Sequence, residues 1–226
     1  RRDEALDNLH SVYVDQWDWE KIITKEQRTK DYLKQTVTSI VGAICDTLDQ
    51  VKEKYPQIPV TLSREVSFVT TQELEDKYPS LSPKERENAF LKEHPTAFVM
   101  EIGDLLASGQ KHDGRAPDYD DWKLNGDILF WNDVLGCAFE VSSMGIRVDA
   151  KAMEEQLKKA QCQGRKAFPF HQMVLDGTLP LTMGGGIGQS RLCMLLLGKA
   201  HIGEVQVSLW DEESKAACKQ AGVPLL

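Results

Sequence analysis

The stretch TMGGGIGQSRLCMLLL, residues 182–197, restricts this chain more than any other. Gly184, Gly185, Gly186 and Gly188 lead directly into Arg191 and a solid apolar block. Glycine permits positive φ and close approach of backbone to backbone or ligand. A helix opening just after such a run offers free N–H groups to an anion. A phosphate beside one arginine is therefore the first expectation. The position argues against both common nucleotide folds. A Rossmann or P-loop glycine loop follows a strand early in a βαβ unit, and no GxxxxGK[ST] occurs here.

The flanking pattern indicates the setting. Apolar residues at Leu33, Val37, Ile40, Ile44, Leu48 and Val51 step by three and four, which predicts a long amphipathic helix over 26–54. Thr70 with Glu73, and Ser82 with Pro83 and Glu85, read as capping boxes opening two further helices. Strands are expected at 10–20, 66–70, 97–102, 127–132, 137–148 and 204–210, with helices near 150–160 and 167–176. Asn132, Asp133 and Gly136 suit a hairpin turn. Adjacent strands with helices between and after them predict an α+β fold on an antiparallel sheet flanked by helices. One domain over 1–226 is expected, without repeats or low-complexity linkers.

Composition narrows the function classes. A net charge of −8 with no basic run argues against nucleic-acid binding. No apolar run reaches the roughly 20 residues of a membrane helix. Mean hydropathy is −0.39, that of an ordinary soluble chain. The five cysteines have no CxxC spacing, which points to a reducing, cytoplasmic setting rather than a zinc or disulfide framework. Cys193 reads as a buried structural thiol.

Three other stretches could carry chemistry. RRDE at the start sets arginines suited to a phosphate beside acids, although taken alone a solvated turn explains it better. KHDGRAPDYDDW (111–122) packs His112, Asp113, Arg115, Asp118, Asp120 and Asp121 into one loop. It reads as a solvated surface, a zwitterion pocket, or a cation site on Asp120 and Asp121. On a regular strand, Glu140, Ser142 and Met144 share one face and Val141 and Ser143 the other. Glu140 is then a rim residue, a salt-bridge partner of Arg147, or a partner of Asp127 in holding Mg²⁺ on a nucleotide's phosphates.

Together HSVYVDQWDWE, RAPDYDDW, LNGDIL, SSMGIRVDA and GGGIGQSRL resemble ammonia-dependent asparagine synthetases, the aspartate–ammonia ligases, from Arg1 to about Trp210. The resemblance implies the catalytic fold of class II aminoacyl-tRNA synthetases. It also implies a two-step reaction: ATP and aspartate give β-aspartyl-AMP and pyrophosphate, then ammonia displaces AMP to give asparagine. By the same resemblance Arg191, with Gly186 and Gly188, meets the ATP phosphates. Arg1 or Arg2, with Glu4, grips the α-phosphate and the adenine end. Arg115 lies beside the nucleotide or the acyl-phosphate, and Asp127 and Glu140 carry Mg²⁺. Gln16, Asp18, Asp120, Ser142, Ser143 and Arg147 line the aspartate pocket, with Asp18 or Asp120 holding an ammonium group. Arg1, Gln16, Asp120 and Arg191 are the expected catalytic residues. A homodimer, a further N-terminal region and an extra loop before LNGD belong to the family pattern. The chain opens without methionine, inside what reads as a structured region, so its true start is expected upstream. The competing expectations are a core related to aspartyl- or asparaginyl-tRNA synthetases, and a non-catalytic sensor of amino acid or nucleotide.

Overall fold

The computed structural model describes residues 6–226. Six strands form one sheet in the order β1-β6-β5-β4-β3-β2. They are β1 (Gln16–Ile22), β2 (Ser67–Thr70), β3 (Thr96–Met100), β4 (Asp120–Asn132), β5 (Cys137–Arg147) and β6 (Thr182–Gly188). Every pairing is antiparallel except β2 with β3. The sheet is thus mixed, a correction to the antiparallel expectation. Thr70 ends β2 and at once caps α2 (Thr71–Lys77), and α3 (Pro83–Glu93) follows before β3. That helical crossover returns the chain in the same direction, which a tight hairpin cannot do.

Both capping boxes form, on Thr70–Glu73 and Ser82–Glu85. The long helix α1 (Lys30–Lys54) starts four residues later than its apolar period suggests. Thr29 supplies the cap by accepting from the Tyr32 N–H, and the residues before it are occupied by turns. The β4–β5 hairpin also forms, its bend fixed by the Asn132 side chain accepting from the N–H groups of Val134 and Leu135.

Helix α1 covers one face of the sheet, burying Leu33, Val37, Val41 and Ile44 with Phe98, Ile128, Phe139, Met144 and Ile146. On the opposite face α2 and α3 cover β2, β3, most of β4 and the hairpin end of β5, where Leu74, Phe90 and Leu91 meet Ala97, Val99, Leu129 and Ala138. Over β1, β6 and the rest of β5 that face carries polar groups instead. A smaller cluster joins α4 (Ala150–Lys159) to α5 (Pro169–Leu175).

The glycines form a strand, β6, and none of Gly184 to Gly188 has positive φ. Two expectations fail in instructive ways. The strand expected at 204–210 is a single 3₁₀ turn, Ile202–Glu204, followed by irregular chain. There Gln206 turns inward to Ser190 at 2.8 Å while Val207 and Leu209 stay exposed. The chain then ends in an unforeseen helix, α7 (Glu212–Ala221), capped by Asp211 and closed by Gly222 at φ 69°. Finally, Cys193 is exposed on α6 (Gln189–Leu196), not buried.

Candidate active site

The glycine strand floors a trough on the open half of the sheet. Register places Gln16 opposite Gly188, Asp18 opposite Gly186 and Glu20 opposite Gly184. On the other side of β6, Gly186 pairs with Ser143 and Gly184 with Gly145, and beyond β5 Ser143 pairs with Asp127. One row across the sheet therefore reads Asp18, Gly186, Ser143, Asp127. Space explains the glycines. A Cβ on Gly186 would lie 2.8 Å from Asp18 Oδ1 and 3.2 Å from Gln16 Nε2. On Gly184 it would lie 2.5 Å from both the Trp19 carbonyl oxygen and Arg147 Nη2. Polar side chains from both neighbouring strands lie across the glycines, so any larger residue would displace them.

Strict alternation along β5 would have sent Glu140 away from Asp127. A β-bulge prevents this: Ile128 pairs with Ser142, but Leu129 pairs with Glu140, leaving Val141 as the extra residue. Glu140 thereby joins Ser143, Gly145 and Arg147 on the trough face. Ser142 falls on the α1 face with Met144, buried and with no partner for its hydroxyl. The structure thus reverses the expected grouping of Glu140 with Ser142, and Ser142 lies outside the trough.

Arg147 closes one end of the trough. Its guanidinium bonds Glu20 at 2.9 Å, ion-pairs with buried Asp120, and lies 3.9 Å over the Tyr119 ring centroid. Burial raises the Asp120 carboxyl, and the Arg147 charge only partly offsets this. Asp120 and Asp121 do not share an ion. They face opposite sides of β4, where Asp121 pairs with Arg28 at 2.7 Å. Asp118 is bound by Arg165 at 2.9 Å and His171 at 2.8 Å, so most of the acidic loop is paired rather than a solvated surface.

Arg191, in the first turn of α6, closes the other end. It donates to the Glu140 backbone carbonyl at 3.3 Å, and its Nη1 lies 3.6 Å from Glu140 Oε2. Its Nη2 lies 2.9 Å from His10 Nε2. Arginine can only donate, so His10 Nε2 accepts and its Nδ1–H points to Asp7 at 2.8 Å. Between Arg191 and the sheet lies a cavity of about 240 Å³ lined by His10, Gln16, Glu140, Ser143, Gly186 and Gly188, among others.

Asp127 is buried and ion-paired with Arg115. Burial, then the charge of Glu140, push its carboxyl well above the ordinary range, against the pull of Arg115. Two carboxylates forced together in this way form a site whose charge calls for a cation. Mg²⁺ fits such a donor set, since it usually takes one or two protein carboxylates and completes its shell with water and phosphate oxygens. Among the described residues no group of three or more acidic, histidine or cysteine side chains is arranged to hold a metal, so at this site the rest of the shell would have to come from water and phosphate.

The trough thus brings together Gln16, Asp18, Asp120, Ser143, Arg147, Asp127, Glu140, Arg115, Gly186, Gly188 and Arg191. Arg1, Arg2 and Glu4 lie outside the described residues. Glu20, Tyr119 and His10 were missed. Glu20 had a sequence signal, because Gln16, Asp18 and Glu20 alternate on one strand face. His10 and Tyr119 had none, since both come from irregular chain.

Sheet order and flanking helices define a class II aminoacyl-tRNA synthetase catalytic fold. The aspartyl-tRNA synthetase of Entamoeba histolytica superposes with a TM-score of 0.66 at 15% identity, over 94% of this chain and 46% of that one. The asparaginyl-tRNA synthetase of the same organism, in complex with asparaginyl-adenylate, gives 0.65 at 15% identity, over 91% and 49%. The chain itself belongs to the aspartate–ammonia ligase family, whose model matches residues 1–222. Aspartate–ammonia ligases of Bacillus cereus and Bacillus thuringiensis are each 59% identical over the whole chain, which spans 69% of their length. No helix among the described residues is long and apolar enough to cross a membrane.

Proposed function

We propose that this chain is an ATP-dependent ligase making L-asparagine from L-aspartate and ammonia. The observation that supports it best is the glycine-floored trough, with one arginine at each end and, in its wall, buried Asp127 beside the half-exposed Glu140. Membership of the ligase family, at 59% identity, supports the substrates. A tRNA synthetase or a sensor has no comparable support.

In this reading the nucleotide lies along Gly186 and Gly188 with its phosphates toward Arg191. Arg1, Arg2 and Glu4 would meet the α-phosphate and adenine. Aspartate lies toward Arg147, with Gln16, Asp18, Asp120 and Ser143 around it. Asp18 is the better placed of the two acids to hold the substrate ammonium, because the Asp120 carboxylate is already engaged by Arg147. The side-chain carboxylate oxygen of aspartate attacks the α-phosphorus, and the bond to pyrophosphate breaks. Ammonia nitrogen then bonds to the acyl carbon, the carbon–oxygen bond to AMP breaks, and the nitrogen loses a proton. Asp127 and Glu140 would hold Mg²⁺, which neutralises phosphate charge when bound. Arg191 and Arg115 act in the same sense, as fixed positive charges that need no reorganisation during reaction. Alignment of the two negatively charged reactants is the other contribution. Homodimer formation and a cytoplasmic setting, with no nucleic-acid or membrane partner, complete the reading.

The test supplies ATP, Mg²⁺, aspartate and ammonium and follows AMP, pyrophosphate and asparagine together. Equal AMP and asparagine are expected. Pyrophosphate exchange without asparagine at high ammonium would instead indicate an adenylate-forming enzyme with another acceptor.

A further inference from the structure

Helix α4 turns one polar side chain inward. Its buried residues are Met153, Gln156 and Leu157, so Gln156 stands where the helical period would set an apolar residue. Burying an amide is costly unless its polar atoms find partners. All of them do. Gln156 Oε1 accepts from the Trp122 N–H at 2.8 Å, and Nε2 donates to the carbonyl oxygens of Pro117 and Asp120, both at 3.0 Å. Only this orientation of the amide works. The reverse would set its NH₂ against an N–H and its oxygen against two carbonyl oxygens.

The three main-chain groups it binds share the lack of a strand partner. β4 pairs with β5 at Asp120–Arg147, loses register, and pairs with it again only at Asn125–Gly145. Pro117 lies ahead of β4 in irregular chain, and Pro117, Asp120 and Trp122 are all buried. Buried backbone groups outside a ladder need partners elsewhere. Gln156 supplies them, as a one-residue substitute for a neighbouring strand.

The segment held in this way is the one that grips Arg147. Asp120 ion-pairs with the guanidinium, and the Tyr119 ring lies 3.9 Å from it. The Tyr119 carbonyl in turn accepts from the Val148 N–H at 3.0 Å, just past Arg147 in the chain. Bonds at 117, 120 and 122 therefore bracket both residues that contact Arg147 from this segment.

We propose that Gln156 is a positioning residue for the aspartate end of the trough. By fixing main chain on either side of Asp120, it sets where Asp120 and Tyr119 hold Arg147, and so how tightly aspartate binds. The inference rests on the ligase reading above, which places aspartate toward Arg147 and the nucleotide phosphates toward Arg191. Its effect should therefore fall on one substrate and spare the other.

The test measures asparagine formation against aspartate and ATP separately, at saturating Mg²⁺ and ammonium. Gln156→Met keeps the side-chain length and loses all three bonds, and the aspartate KM should rise about tenfold. Gln156→Glu keeps an acceptor for Trp122 but sets a bare oxygen against two carbonyls, and should raise it at least as far. The KM for ATP, and kcat at saturating aspartate, should stay within about twofold of the parent in both. A cycle with Asp120→Asn separates positioning from general loosening. In the double variant with Gln156→Met the rise should fall well short of the product of the single effects, because both act on one contact. An unchanged aspartate KM in either folded variant, a parallel rise in the ATP KM, or multiplicative effects in the double variant would overturn the inference. So would failure of both Gln156 variants to fold, which would leave the bonds a role in stability alone. If the unmodified chain forms no asparagine, the reaction reading fails, and the aspartate KM of pyrophosphate exchange carries the same comparison. If it shows no exchange either, calorimetric titration with aspartate decides. Weaker binding in Gln156→Met would support the inference; equal binding, or none by the parent, would overturn it.

Discussion

The two halves of one sheet face are built from the same kind of strands and serve opposite ends. Under α2 and α3, the β2–β3–β4 half buries Val69, Ala97, Val99 and Leu129 against Leu74 and Leu91. From β1 across β6 and β5 to the adjoining part of β4, the same face carries Asp18, Ser143, Arg147 and Asp127 beside bare glycines. The covered half contributes stability, since each fully buried aliphatic side chain is worth roughly 1.5–3 kcal/mol. The open half holds like charges and buried ions, which weaken the fold unless something binds there. The comparison teaches that stability is supplied by the first half, which leaves the second free for the ligand-binding role proposed for it.

The sharpest test of that division is Arg191→Ala. It should reduce adenylate formation by about 10³-fold, roughly 4 kcal/mol of transition-state stabilisation, with thermal unfolding almost unchanged. Pyrophosphate exchange and a melting curve on one preparation check it. Near-normal exchange would remove Arg191 from the phosphate site. Leu91→Ala in the covered half should show the reverse, losing about 3 kcal/mol in denaturant unfolding while activity per folded molecule stays the same. If both variants lost stability and activity together, the halves would not be separable.

Legibility in the sequence followed the same division. Helix α1 and the two capping boxes were readable because local rules determine them: an apolar period of 3.6 and a hydroxyl three residues before a glutamate. Residues with chemistry were nameable because their types are unusual for a core. Their grouping was not, because Glu140 reaches the trough through a bulge at Val141 that no residue type signals. The role of the glycines as a strand under polar side chains was not legible, because sequence does not show which side chains lie across them. The parallel β2–β3 pair depends on a crossover, and adjacent Ser142 and Ser143 face opposite sides of β5, so only the pairing of Ser143 with Asp127 shows which of them meets the trough. The KHDGRAPDYDDW loop was ambiguous for a similar reason, since the partners of its acids, Arg28, Arg147 and Arg165, lie 27 or more residues away in sequence.

The glycine floor offers a finer comparison within the open half. At Gly184 an alanine methyl meets fixed backbone, the Trp19 carbonyl oxygen at 2.5 Å, whereas at Gly186 it meets the mobile ends of Asp18 and Gln16. Gly184→Ala should therefore cost about 2 kcal/mol of stability through overpacking. Gly186→Ala should cost under about 1 kcal/mol and instead raise the KM for aspartate several-fold, as Asp18 and Gln16 are pushed aside. Equal stability loss in both would mean that the side chains over Gly186 cannot move.

The smallest expected effect tests the electrostatic half of the comparison directly. The Asp127 carboxyl is raised in the folded protein by burial and by Glu140. A raised acid binds its proton more tightly folded than unfolded, so the folded state loses stability as pH climbs from the unfolded value toward the folded one. Asp118, beside His171 and Arg165, is lowered despite some burial. Its contribution is present above the unfolded value and disappears as pH falls through the folded one. Without ligands, Asp127→Asn should therefore be more stable than the parent at neutral pH, by on the order of 1 kcal/mol, because the lost Arg115 pair offsets part of the gain. That advantage should vanish near pH 4, where the parent carboxyl is protonated. Asp118→Asn should be less stable at neutral pH and indistinguishable near pH 2. Denaturant unfolding of both variants across pH 2–8 makes the comparison, and curves of the same sign would show that the carboxylate pair is not under the strain that marks this half of the sheet as a binding site.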